Sequence, residues 1–292
     1  MLIVRVSAAD ASPGVKYYLI AYNAFSSLAW SYVLITLTLH LLGFLSTSSA
    51  TGNTATQRVH SASARLSSLF SSSLLPTFSK SGSTNVKSKA FFFSAKFLQP
   101  LVKRMSNTYA SVGPETTLVQ SVALLEVVHA YLGWVRSPVQ TTAAQVASRI
   151  FLVWGVVERY EAARTSPLYA TMVLAWSLTE VIRYAFYALS LLSIEPYPLL
   201  WLRYTTFLVL YPLGAGSEAF VNFATLPHGS PIPSFNAWAR GAVWMPYDYI
   251  RGVLFLIWWP GLYIMYTYML AQRRKVLGKG SGQKLGNKPK SQ

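Results

Sequence analysis

The stretch Leu208-Val-Leu-Tyr-Pro-Leu-Gly-Ala-Gly-Ser-Glu218 lies within a run, 199–222, that is apolar enough to cross a membrane. A carboxylate at that depth costs roughly 2.5–3.5 kcal/mol even on a lenient insertion scale. Solubility does not explain such a cost, so Glu218 is a candidate functional residue. Tyr211 precedes it by seven positions, close to two turns of helix, which puts both side chains on one face. Two readings stand: an acid–base pair lining a cavity, or a hydrogen-bonded structural glutamate beside an interior tyrosine. Pro212, Gly214 and Gly216 predict an irregular helix here, which is tolerated at membrane depth only where neighbours or a water-filled cavity satisfy the freed backbone.

The composition extends this reading to the whole chain. Of 292 residues 52% are hydrophobic and 12% charged, against about 25% charged in a soluble domain. An all-α polytopic membrane protein, a six-transmembrane-helix bundle, is expected. The net charge of +16 is concentrated: fifteen of the 25 Lys and Arg residues fall in 46–115 and 272–292. No basic stripe interleaved with aromatics is present, which argues against nucleic acid as a partner. Cysteine is absent, which removes disulfides, thiolate metal sites and thioester or cysteine-phosphate intermediates. The four histidines (His40, His60, His129, His228) are scattered, so the clustered boxes of a membrane di-iron enzyme cannot be assembled.

Residues 1–16 form a polar leader and 17–45 a first transmembrane helix that is not cleaved. Residues 46–115, rich in Ser, Thr and Lys, read as a disordered loop, with a membrane-surface patch at Ala90-Phe-Phe-Phe-Ser-Ala-Lys-Phe-Leu98. A five-helix core occupies 116–271, with spans at 117–135, 141–158, 168–192, 199–222 and 246–271. Arg136-Ser-Pro138, Arg164-Thr-Ser-Pro167, Glu195-Pro-Tyr-Pro198 and Pro227-His-Gly-Ser-Pro-Ile-Pro233 separate them. Arg273-Arg-Lys275 opens the basic tail, 272–292, and places it and the N-terminus in the cytosol. The 46–115 loop would then be lumenal despite its charge, as long loops translocate largely regardless of it. The ending Lys288-Pro-Lys290-Ser-Gln292 fits a Lys-x-Lys-x-x retrieval signal, which suggests a multi-pass protein of the endoplasmic-reticulum membrane. Trp238, Trp244, Tyr247, Tyr249, Trp258 and Trp259 read as interfacial aromatic belts.

Glu126, Glu180 and Glu218 fall inside predicted spans and should face the interior with partners. Glu126 and His129, three apart, read as a structural hydrogen-bonded pair; a di-iron site would need a second Glu-x-x-His. Glu180 and Arg183 read as an internal ion pair. Arg149 and Arg203, placed near span ends, either snorkel to headgroups or bind an anionic substrate group, and Arg136 opens a short cytosolic loop suited to a phosphate. Val128-His-Ala-Tyr-Leu-Gly-Trp-Val-Arg-Ser137 matches the phosphatase loop His-Cys-x5-Arg-Ser, but Ala130 replaces the nucleophile and excludes that activity. Ser217 lacks both a nearby base and a Gly-x-Ser-x-Gly setting, which argues against a serine hydrolase.

Several segments together resemble the very-long-chain (3R)-3-hydroxyacyl-CoA dehydratase family, the protein tyrosine phosphatase-like proteins. They are Leu124-Leu-Glu-Val-Val-His129 with Val135-Arg-Ser-Pro138, Gln145-Val-Ala-Ser-Arg149, Ala175-Trp-Ser-Leu-Thr-Glu-Val-Ile-Arg-Tyr184, and Trp201-Leu-Arg-Tyr204 with Leu210-Tyr-Pro-Leu-Gly-Ala-Gly-Ser-Glu218. With the flanking spans the resemblance covers roughly three quarters of the chain, and the long 46–115 segment departs from it. It implies a lyase, the hydro-lyase of the third step of very-long-chain fatty-acid elongation, which feeds sphingolipid synthesis. Its reaction is dehydration of (3R)-3-hydroxyacyl-CoA to trans-2-enoyl-CoA. It further implies Tyr211 and Glu218 as catalytic residues, and partnership with the elongase, 3-ketoacyl-CoA reductase and enoyl-CoA reductase. Arg136, Arg149, Arg183, Arg203 and Tyr204 are the candidate substrate-binding residues. No cofactor or metal is required, because neither electrons nor phosphate move. A non-catalytic membrane scaffold or a transporter of the same fold is the alternative.

Overall fold

A computed structural model describes residues 12–45, 98–194, 196–227, 229, 231–232 and 244–277, and every regular element among them is helical. Pro13 occupies the first turn of α1 (Pro13–Leu42), where its missing N–H has no partner to lose. Gly43, at φ 87°, ends the helix and donates to the His40 carbonyl at 3.0 Å. There follow α2 (Thr108–Val122), α3 (Leu124–Tyr131), α4 (Val139–Ile150), a π-helical segment (Phe151–Val157) and the single turn α5 (Glu161–Arg164). Next come α6 (Pro167–Leu191), α7 (Tyr197–Thr205), α8 (Phe207–Phe223) and α9 (Pro246–Leu277). Ala123 and Thr206 keep helical dihedrals at the α2–α3 and α7–α8 junctions, and α4 runs directly into the π segment. The described elements thus line up as six helical rods.

The central rod is α6, which packs along α1 on one side and α8 on another, with α9 closing against α8 and α7. Trp30, Val33 and Leu37 of α1, Val112 of α2, Val153 and Val156 of the π segment, and Met172, Val173 and Trp176 of α6 fill the core between them. Gly155 in the π segment allows a close approach: a Cβ there would lie 2.6 Å from the Tyr247 hydroxyl, which donates to the Gly155 carbonyl at 2.9 Å. Among the described residues two helices, α1 and α9, are long and apolar enough to cross a membrane. The outward side of α9 is apolar, with Leu256, Tyr263 and Ile264 more than 60% exposed, a surface suited to lipid. The other four expected spans do not pass that test alone. Junctions at Ala123 and Thr206 and the π segment divide three of them, and Glu180 and Arg183 interrupt the apolar run of α6.

One expectation is corrected. The disordered loop does not reach residue 115, because 98–106 is helical and α2 begins at Thr108. A Ser/Thr-rich composition reads as loop, yet here the Thr108 hydroxyl donates to the Arg104 carbonyl four residues back at 3.4 Å, as Thr116 just beyond donates to that of Val112 at 2.6 Å. His40 ties the start of this rod to the end of α1 by bonds to the Arg104 carbonyl (2.8 Å) and the Ser111 hydroxyl (3.0 Å). Helix α9 also continues past 271 into the basic segment, to Leu277. Most of the leader, residues 46–97 with nearly all of the Ala90–Leu98 patch, His60, His228, Trp238 and the Lys288–Gln292 motif lie outside the described residues.

Candidate active site

Pro212 has no N–H to give the Leu208 carbonyl, yet α8 continues through it as regular helix. The Tyr266 hydroxyl of α9 donates to that freed carbonyl at 3.5 Å, which is the neighbour compensation a proline in an apolar helix needs. The expected irregularity is therefore absent, and Gly214 serves packing, whereas a Cβ on Gly216 would meet nothing within 4 Å. A Cβ on Gly214 would stand 3.3 Å from the Ala175 Cβ of α6. Close approach of α6 and α8 at this point brings the next residue of α6, Trp176, onto Glu218.

Both oxygens of Glu218 accept hydrogen bonds from indoles. Trp176 Nε1 donates to Oε1 at 2.6 Å, and Trp258 Nε1 of α9 donates to Oε2 at 3.2 Å. A donor to each oxygen suits an ionised carboxylate, which can only accept. The Arg149 guanidinium, carried by α4, lies 5.2 Å from the Trp176 ring centre and acts electrostatically on Glu218. Tyr211 stands seven residues earlier on the same face of α8, about 10.5 Å along the axis. The charged groups acting on its phenol are Glu218 and Arg149. Its hydroxyl makes no hydrogen bond among the described residues, so it is open to a ligand.

From Arg149 a chain of alternating charges crosses the bundle. Arg149 Nη1 donates to Glu180 Oε1, and Arg183 Nε donates to Glu180 Oε2 at 2.5 Å. Arg183 then holds Glu126 with both terminal nitrogens, at 2.8 and 2.6 Å, and the Tyr184 hydroxyl donates to Glu126 as well. The Glu180–Arg183 ion pair is thus present but is one link of three. Glu126 and His129 are not the hydrogen-bonded pair expected from their spacing. A bidentate guanidinium outcompetes a neutral imidazole for the carboxylate, and His129 instead bonds the Tyr18 hydroxyl at 3.0 Å and stacks on Trp134. Arg149 lies midway along its rod rather than near an end, paired with a carboxylate.

The remaining expected residues are dispersed. Arg136 is exposed in the turn after α3, where Gly133 takes φ 69°; the phosphatase-like segment is therefore helix up to Tyr131 and a turn beyond it. Arg203 and Tyr204 sit at the end of α7, on a cleft that Arg183 also lines. A second cleft is lined by Tyr22, Glu126, His129, Ser137, Thr142 and Arg183 among others. Neither cleft is lined by Tyr211 or Glu218. Trp258 and Tyr247, read as belt aromatics, turn inward to Glu218 and to the Gly155 carbonyl, whereas Trp259 stays 39% exposed. Trp176 was visible as part of a motif, but no spacing in the sequence ties its indole to Glu218. Ser217 bonds Thr171 at 2.7 Å and the Leu213 carbonyl at 2.7 Å, a helix-packing role. Ser217→Ala is expected to leave catalytic turnover intact while costing about 1 kcal/mol of stability; loss of turnover with unchanged melting would contradict that role.

Residues 120–279 match the family model described as protein tyrosine phosphatase-like protein, PTPLA. The match is shorter than the three quarters expected and leaves α1 outside it. A probable very-long-chain (3R)-3-hydroxyacyl-CoA dehydratase of Schizosaccharomyces pombe is 46% identical over 167 residues, 57% of this chain and 75% of that protein. The Caenorhabditis elegans very-long-chain (3R)-3-hydroxyacyl-CoA dehydratase hpo-8 is 44% identical over 179 residues, 60% of this chain and 82% of its own. Human very-long-chain (3R)-3-hydroxyacyl-CoA dehydratase 2 is 35% identical over 171 residues, 58% and 67% of the two chains. No solved structure gives a significant match. Because the family model spans more than half of its length and takes in the rods that carry Tyr211, Glu218 and the charge chain, the chain belongs to the protein tyrosine phosphatase-like, PTPLA, family.

Proposed function

We propose that this protein dehydrates very-long-chain (3R)-3-hydroxyacyl-CoA to trans-2-enoyl-CoA, the third step of fatty-acid elongation, with Tyr211 and Glu218 as the catalytic pair. The activity named for its relatives supports the reaction. The observation that carries the assignment is a carboxylate fixed by two indole N–H groups, with an unbonded phenol on the same helix face.

Elimination needs a base at the carbon next to the thioester and an acid for the departing hydroxyl. With both oxygens accepting, Glu218 suits the base: it takes the α-proton as the Cα–Cβ double bond forms. Tyr211 gives its phenolic proton to the β-hydroxyl, which leaves as water. The proton now on Glu218 then returns to the phenolate, and the pair is reset. The axial separation of about 10.5 Å must be closed by the reach of the two side chains toward a substrate lying between them. Arg149 keeps a positive charge beside the site throughout. No redox or phosphoryl chemistry enters this sequence.

The protein is placed in this reading as a six-span bundle of the endoplasmic-reticulum membrane with both termini cytosolic, working beside the elongase and the two reductases. Helices α1 and α9, the outward apolar side of α9 and the basic Arg273-Arg-Lys275 run support that setting. The acyl chain lies between helices within the bilayer. Purified protein given a 3-hydroxyacyl-CoA is expected to release the enoyl-CoA, followed by mass spectrometry. Tyr211→Phe, which keeps the ring and removes the proton, is expected to lower kcat by about 10²-fold or more. Undiminished turnover in that variant would exclude Tyr211 as the acid.

A further inference from the structure

The arginines within the bundle have their charges balanced differently, the fully buried Arg251 of α9 by Asp248. Arg149 and Arg183 are compensated by Glu180 and Glu126. Arg203 has no carboxylate partner among the described residues. Its Nη2 donates to the Tyr187 hydroxyl at 2.8 Å, and its guanidinium is flanked by the Phe186 and Tyr187 rings at 4.7 and 4.5 Å. Its Nη1 is buried with no hydrogen-bond partner. A half-buried cation held by aromatic faces, with one buried donor left unused, is suited to an anion.

The surroundings of Arg203 extend the argument. The cleft it lines, between α6, α7, α8 and α9, carries Thr179, Tyr204 and Gln272 as polar groups and Ile182, Phe207 and Met269 as apolar ones. No carboxylate lines it, whereas the other cleft presents Glu126, which would repel a phosphate. Arg273, Arg274 and Lys275 follow Gln272 directly on α9, and the Arg273 Nε is likewise buried without a partner. Phe207 of the cleft shares a helix face with the catalytic pair. Phe207, Tyr211, Gly214 and Glu218 recur at i, i+4, i+7 and i+11, which is one face of α8.

We infer that this cleft binds the phosphate groups of the CoA moiety, with Arg203 as the buried contact and Arg273 to Lys275 as the outer rim, so that the thioester is threaded down the Phe207–Tyr211–Glu218 face. The inference rests on the dehydratase reading for its substrate, but its test does not depend on turnover. Free CoA is expected to raise the melting temperature of the wild-type protein, followed by tryptophan fluorescence, while pantetheine, which lacks the phosphates, leaves it unmoved. Equal effects of the two would overturn the site even if the enzyme were active, and an inactive protein that still responds to CoA would sink the dehydratase reading alone. In turnover, the KM penalty of Arg203→Met is expected to be about tenfold larger on 3-hydroxyacyl-CoA than on 3-hydroxyacyl-pantetheine, the loss of about one charge-assisted hydrogen bond. Arg203→Lys should recover part of it. A penalty equal on both esters, or one that tracks phosphatidylserine content in phosphatidylcholine nanodiscs, assigns Arg203 to structure or to lipid headgroups and refutes the proposal.

Discussion

Glu218→Gln is expected to lower the turnover of 3-hydroxyacyl-CoA by about 10³-fold, within the range for loss of a general base, with little change in KM. The substitution keeps the side-chain length and removes the group that takes the proton. Its amide also cannot accept on both sides. One of the two indoles, Trp176 at 2.6 Å or Trp258 at 3.2 Å, then faces an N–H₂ group. Leaving that buried donor unpaired costs about 1–3 kcal/mol of stability, so the melting temperature falls as well. The two effects separate in Trp258→Phe, which removes one donor and keeps the carboxylate. That variant should retain most of the turnover that Glu218→Gln loses. The measurement is kcat and KM for purified proteins in one detergent, with melting followed by tryptophan fluorescence. Wild-type turnover in Glu218→Gln would leave the proposed mechanism without its base.

The cost of a carboxylate in an apolar run pointed to Glu218, and helical spacing placed Tyr211 on its face; both inferences are local and needed no knowledge of the other helices. Its anchors were not local. Trp258 is forty positions from Glu218, and a tryptophan near a helix end reads equally well as an interfacial anchor. The partner of Glu126 was misjudged for a related reason. An i,i+3 neighbour is always within reach, but Arg183 arrives from α6 with two charged donors and takes the carboxylate. Composition failed at 98–115, where serine and threonine suggest a solvated chain. The Thr108 hydroxyl is satisfied by the Arg104 carbonyl and that of Ser111 by His40 of α1, so the segment can be buried. The irregularity expected at Pro212 was absent because Tyr266, contributed by α9, supplies the missing donor.

The charge chain makes the second large effect, this time on stability. Along Arg149, Glu180, Arg183 and Glu126 the signs alternate and sum to zero, and the Glu180 side chain is 3% exposed. Glu180→Gln leaves two guanidinium groups that shared one carboxylate with Glu126 alone between them. Breaking a buried pair by removing one partner costs about 3–5 kcal/mol, because the remaining charge stays buried and uncompensated. Arg149 is the more mobile of the two in charge terms: its other carboxylate neighbour is Glu218. Released from Glu180, it would compete with Trp176 and Trp258 for the Glu218 carboxylate, and is expected to lower turnover together with stability. Removing the stranded cation tests this account. Glu180→Gln combined with Arg149→Met restores a neutral Arg183–Glu126 pair and should recover part of the lost stability, a coupling of about 1–3 kcal/mol between contacting residues. Thermal unfolding of the two single variants and the double variant, read by tryptophan fluorescence, measures that coupling. If the double variant is as unstable as the sum of the singles, the four residues do not act as one charge-balanced unit.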